Sequence, residues 1–157
     1  MCGTNTAAYA GTATGALTVS VTVTASCAIA AASIGFGSID GTLLSTTPSS
    51  FTAGTLVITC TSSTPWAVGF GNGNNYSGGT RRMVYNSTNY IGYGLYAANN
   101  TTNPLGTATS STTCAAAGDC ITGTGTGSAT IYGYIPATTT VSTAGTYTDT
   151  VTMTIMY

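Results

Sequence analysis

Residue types able to do chemistry are scarce in this chain, and their scarcity is itself informative. Five cysteines, three aspartates and two arginines stand in 157 residues, with no histidine. The charged set is Arg81, Arg82, Asp40, Asp119 and Asp149, with no lysine or glutamate. A Ser-His-Asp or Cys-His nucleophile is therefore impossible, and general acid–base work would require scattered aspartates to converge by folding. No zinc pattern exists, because histidine and C-x-x-C are both missing. Gly123-Thr-Gly-Thr-Gly127 resembles a phosphate loop but lacks the lysine and the helix after it. The sequence thus predicts no enzyme, no cofactor and no metal.

Cysteine chemistry is what remains. Cys27 precedes one predicted strand and Cys60 closes another, Leu56-Val-Ile-Thr-Cys60, so a disulfide between them can staple neighbouring strands. Cys114 and Cys120 bracket a short loop that a local bridge can close. Cys2 is left over, as a free thiol, an intermolecular bridge or a feature of the start of the chain. Cysteines in these numbers suggest an oxidising compartment. Arg81-Arg82 at a strand start are expected to pair with a carboxylate or stay solvated, with anion binding as the alternative. Tyr85, Tyr90, Tyr93, Tyr96, Tyr132 and Tyr134 are expected as half-buried strand packing rather than a sugar- or surface-binding platform.

The elements that must position these residues are strands. Charged residues make up 3% of the chain, against roughly 25% in ordinary soluble domains. Polarity comes instead from Thr, Ser, Asn and Gly. Such a surface offers no electrostatic footprint for nucleic acid or anionic membrane, and no apolar run is long enough for a spanning helix. Hydrophobic content of 43% excludes a disordered chain. Residues 16–24 read ALTVSVTVT, with Leu17, Val19, Val21 and Val23 on one face and Thr or Ser on the other. Strict alternation describes a strand with one apolar face. The far end mirrors it, with Val151, Met153, Ile155 and Tyr157 alternating with threonines. Between them, strands are predicted at 27–37, 55–61, 66–70, 81–85, 91–96 and 128–136, whereas 97–127 is expected to carry little core. No segment holds a helical period, so the fold class is all-β, a sandwich. The expected organisation is a flexible leader at 1–13, a spare strand at 14–25 and the sandwich at 26–157. No signal peptide is visible at the start.

Several pieces in order resemble the spore coat protein U domain family, which includes major subunits of archaic chaperone–usher pili. They are the alternating strand running into Ala25-Ser-Cys27, the Ile34-Gly-Phe-Gly37 turn, Leu56-Val-Ile-Thr-Cys60 and Arg81-Arg82-Met83. Tyr93-Gly-Leu-Tyr96, Ile131-Tyr-Gly-Tyr-Ile-Pro136 and the ending from Ala144 to Ile155 complete the set. The resemblance implies an incomplete immunoglobulin-like sandwich completed by a donor strand from a neighbouring subunit. Leu17, Val19, Val21 and Val23 would be the donor residues, and Val151, Met153, Ile155 and Tyr157 the final strand of the acceptor groove. It further implies a periplasmic chaperone, an outer-membrane usher, identical subunits in a filament, and an extracellular pilus serving adhesion and biofilm formation. A tip or surface-binding adhesin of the same system is the alternative; the donor-like segment and single-domain length speak for the shaft subunit.

Overall fold

The computed structural model describes residue 3 and residues 10–116, 118–137 and 143–157. Cys2 and most of the expected leader lie outside the described residues. The chain forms two sheets and one 3-10 turn, Leu43–Ser45. The strands are β1 (Cys27–Ile29), β2 (Thr52–Cys60), β3 (Pro65–Phe70), β4 (Arg81–Tyr85), β5 (Asn89–Tyr96), β6 (Ile121–Thr124), β7 (Gly127–Tyr134) and β8 (Met153–Met156). A five-stranded sheet runs β1-β2-β7-β5-β4, and a three-stranded sheet runs β6-β3-β8. Every strand pairing is antiparallel.

Alternation explains which face is which. Leu56 and Ile58 of β2, Ile91, Tyr93 and Leu95 of β5, and Ile131 of β7 point inward and are buried. From the other sheet, Trp66, Val68 and Phe70 of β3 meet them in one core. The Trp66 indole N–H donates to the Gly125 carbonyl at 2.7 Å, which satisfies the one polar atom that this ring brings inside. The β4–β5 hairpin turns through Asn86 and Ser87, both with positive φ of 50° and 58°. Asparagine tolerates that left-handed backbone better than most residues.

Residues 16–24, expected as a spare strand, make no ladder within the chain: all four apolar side chains are exposed, and residues 10–25 make no hydrogen bond among the described residues. Three expectations need correction. The strand expected at 27–37 is ladder only over Cys27–Ile29; residues 32–36 carry no strand assignment and no ladder pairing among the described residues. The 97–127 region does carry core, with Leu105 and Cys120 buried and β6 pairing with β3. Its Thr/Gly texture hid isolated apolar anchors that no periodicity marks. Finally, Arg81 neither pairs with a carboxylate nor stays solvated, and Arg82, partly exposed, is held by a carbonyl and a ring. Arg81 is buried and donates through Nε to Gly71 O (2.9 Å) and through Nη2 to Phe70 O (3.2 Å) and Leu105 O (2.7 Å). Arg82 Nε donates to Asn75 O at 2.8 Å, and its guanidinium lies 4.2 Å from the centre of the Tyr90 ring. The partners are backbone carbonyls of loops and of the end of β3.

Candidate functional site: a groove along the open side of the sandwich

The two sheets are unequal, and the shortfall leaves part of the larger one uncovered. β8 has a ladder partner on one side only, β3, with Val68 opposite Ile155 and Phe70 opposite Met153. Ahead of β8 the chain continues the pairing through Gly71 N to Thr152 O (2.8 Å) and Asn74 N to Thr150 O (3.2 Å). Thr148 then exchanges two bonds with Val84 of β4, at 2.9 and 3.2 Å. Residues 148–156 are thus anchored along one edge, while their other edge is unpaired among the described residues.

Facing that edge is the segment 32–36. Its position is set by glycine notches in the larger sheet. A Cβ on Gly54 would sit 2.8 Å from Ile34 Cγ1, and a Cβ on Gly133 would sit 2.8 Å from both Ile34 Cγ2 and Phe36 Cζ. Real side chains do not approach so closely, so Ile34 and Phe36 lie over β2 and β7 only because those positions carry no side chain. The Cys27–Cys60 disulfide and Ala30 N to Val57 O (3.0 Å) hold the segment's root on β2.

Between these walls runs a groove of about 300 Å³. One wall is Ala32, Ser33, Ile34 and Phe36; the other is Tyr147, Thr148, Asp149, Val151 and Met153. The floor is core: Phe70, Met83, Tyr93, Leu95 and Ile131. Its one carboxyl group is already occupied. Asp149 Oδ2 accepts from the Tyr93 hydroxyl at 2.7 Å, and Oδ1 accepts from Asn74 N (3.0 Å) and Asn75 Nδ2 (3.1 Å). Burial, together with this bond to Asp149, pushes the Tyr93 hydroxyl well above the ordinary tyrosine range. With its acceptors engaged, Asp149 does not make the groove hostile to apolar side chains.

The structure distributes the sequence-predicted residues unevenly. Val151 and Met153 line the groove, and Ile155 packs half-buried against the core beside it. Tyr157 lies past the end of β8, 54% exposed, and is not part of the lining. Leu17, Val19, Val21 and Val23 stand in solvent at 88, 85, 86 and 76% exposure. Cys27 is bonded to Cys60 and Cys114 to Cys120. The 32–36 wall, Tyr147 and Asp149 were not assigned to the groove from sequence. Glycines at the inward positions 54 and 133 of otherwise apolar strands were the available signal, since they mark a close approach.

A two-sheet, all-β sandwich whose core opens along one flank is the class that these elements define. The Spore Coat Protein U domain matches residues 13–154, and the chain belongs to that family. Its fold is similar to a solved complex described as the CsuC-CsuE chaperone-tip adhesion subunit pre-assembly complex, from archaic chaperone-usher Csu pili of Acinetobacter baumannii. That likeness has a TM-score of 0.59 at 20% identity and covers 87% of this chain. This chain spans 41% of that neighbour's length. No curated protein matches it.

Proposed function

We propose that this protein is a structural subunit of an extracellular chaperone–usher pilus, polymerised head-to-tail by insertion of residues 14–25 of one copy into the groove of the next. The single observation carrying this reading is that one chain holds both an open apolar groove and an alternating apolar segment with no ladder partner among the described residues. Alternating Leu17, Val19, Val21 and Val23 would cover the core floor, while the strand's backbone pairs with the free edge beside β8. Main-chain pairing gives such additions their affinity and alternate side-chain pockets set their register.

The occupant is a second copy because the arm cannot easily turn back. Ser26 is still tied into the sheet: its carbonyl accepts from Thr61 N at 2.9 Å and its N–H donates to Thr61 Oγ1 at 3.0 Å. Only Ala25 separates that anchor from the arm, and tight reversals favour glycine or asparagine. An arm that leaves one copy to fill the next makes a heterologous contact, and contacts that do not close give filaments. Before assembly, an exposed core and free strand edge are an aggregation hazard. A periplasmic chaperone covering the groove, and an outer-membrane usher exchanging it for the next arm, meet that need; the similarity to a chaperone–subunit complex supports the first. Adhesion and biofilm formation are the roles this reading gives the fibre.

The test is gel mobility of secreted material, boiled and unboiled, for the full chain and for a deletion of residues 1–24. A ladder that collapses on boiling and is missing from the deletion is expected. Folded monomer in both samples would overturn the reading. The fold's likeness to a complex containing a tip subunit favours a second reading, a tip or surface-binding adhesin. A tip subunit accepts a strand without donating one, so the deletion would then leave its incorporation intact.

A further inference from the structure

The loop that leaves β3 reads Gly71-Asn-Gly-Asn-Asn-Tyr76 and holds the one Asn-Gly pair of the chain. It is pinned on both sides of that pair. Gly71 N donates to Thr152 O at 2.8 Å, and Gly71 O accepts from Arg81 Nε at 2.9 Å. Asn74 N donates to Thr150 O at 3.2 Å and to Asp149 Oδ1 at 3.0 Å. Between these anchors, the peptide unit of Asn72 C=O and Gly73 N–H makes no hydrogen bond among the described residues. The Asn72 side chain is exposed and has no hydrogen-bond partner among them either. Packing dictates the glycine: its φ is +84°, and a Cβ there would run into Asp149 Oδ2.

An asparagine side-chain amide followed by an unhindered backbone nitrogen can react with it. We propose that Asn72 is a site of spontaneous deamidation, with Gly73 N as nucleophile and water as co-reactant, and that the product loosens the 148–156 wall of the groove. Hydroxide takes the Gly73 amide proton, and the nitrogen bonds to Asn72 Cγ. The Cγ–Nδ2 bond breaks, and the leaving nitrogen takes a proton from water and departs as ammonia. Water then opens the cyclic imide at one of its two carbonyls, with nothing oxidised or reduced. Opening at the side-chain carbonyl gives aspartate; opening at the main-chain carbonyl gives isoaspartate, whose backbone is one methylene longer. That methylene enters between Gly71 and Asn74, so the two cannot both keep their bonds to Thr152 and Thr150 at the present spacing. Asn86-Ser87 is the natural comparison, but there a serine Cβ crowds the ring and Asn86 O accepts from Thr88 Oγ1 at 3.3 Å. The glycine that Asp149 requires is thus what leaves Asn72 reactive. The chemistry is the same whatever fills the groove, so it does not rest on the pilus reading.

The test is mass spectrometry of the full chain aged at neutral and mildly alkaline pH, then cut with chymotrypsin. Cleavage after Phe70 and Tyr76 releases residues 71–76 as one peptide, and fragment ions place the change within it. Loss of the asparagine form at position 72 is expected to quicken with pH and to outpace loss at Asn86 about tenfold, because glycine leaves the closing ring uncrowded. Two products of equal mass should separate on a column. Hydrogen exchange at the Gly71 and Asn74 amides should then be faster in the aged chain than in the fresh one. Aged Asn72→Gln, whose longer side chain closes a ring far more slowly, should show no such change. Fresh Asn72→Asp adds the charge without the methylene and should keep both amides protected. The proposal is overturned if Asn72 converts no faster than Asn86, or if the converted chain protects both amides as well as the fresh one. Equal loosening in fresh Asn72→Asp overturns it too, by making charge and not backbone length the cause.

Discussion

Residues 16–24 and 147–156 carry the same local pattern and meet opposite fates. Leu17, Val19, Val21 and Val23 alternate with threonine or serine, and Val151, Met153 and Ile155 alternate with threonine. Val151, Met153 and Ile155 are half-buried because β3 supplies a ladder and Phe70 and its neighbours supply a floor. Leu17, Val19, Val21 and Val23 are bare because nothing in the described chain supplies either. Alternation therefore specifies a strand's two faces but not its partner. In one region the partner is another part of the chain; in the other, on our proposal, it is another molecule.

The sharpest way to break that comparison is to place the same charge in both regions. Met153→Asp sets an unpaired carboxylate at a half-buried position against the core and should cost roughly 2–4 kcal/mol, enough to unfold a marginal domain. Val21→Asp should leave the fold's thermal midpoint unchanged in monomeric material yet remove the gel ladder, since its penalty falls only on the inserted state. If Val21→Asp unfolds the monomer, the arm is part of the chain's own core and the comparison fails.

A smaller contrast lies between the two disulfides. Cys27–Cys60 spans a sequence separation of 33 and roots the groove wall; Cys114–Cys120 spans 6. The chain-entropy relation gives about 4 kcal/mol for the longer loop and about 2 kcal/mol for the shorter. Paired Cys→Ser substitutions, compared by guanidinium midpoint on the full chain, should follow that order. The reverse order would mean that the short loop carries packing that the separation does not reveal.

The smallest effect concerns the hydroxyl beneath the groove. Tyr93 is held protonated by burial and by its bond to Asp149, so its folded pKa lies above the unfolded one. The stability this contributes is complete below the unfolded tyrosine pKa of about 10 and is lost as pH rises from there towards the folded value. Tyr93→Phe should lower stability by roughly 1–3 kcal/mol at neutral pH, by stranding a carboxyl oxygen. It should also flatten the decline above about pH 10. Denaturant midpoints across that range would show an unchanged slope if Tyr93 were not the titrating group.

The sequence by itself determined the all-β class, the two faces of each alternating run and the family, because period-two patterning and ordered motifs are local properties. Strands expected at 66–70, 81–85 and 128–136 were legible for that reason, and the structure has them at Pro65–Phe70, Arg81–Tyr85 and Gly127–Tyr134. Only the tertiary structure decided that 32–36 is a wall and not a paired strand: Gly54 and Gly133 signal a close approach in the sequence, but that Ile34 and Phe36 are what approaches is fixed only by folding. It also turned Arg81 inward onto loop carbonyls and made Leu105 a core residue within a threonine-rich stretch. The floor of the groove belongs to the same group: Phe70, Leu95 and Ile131 come from three different strands and become one surface only when two unequal sheets are packed face to face.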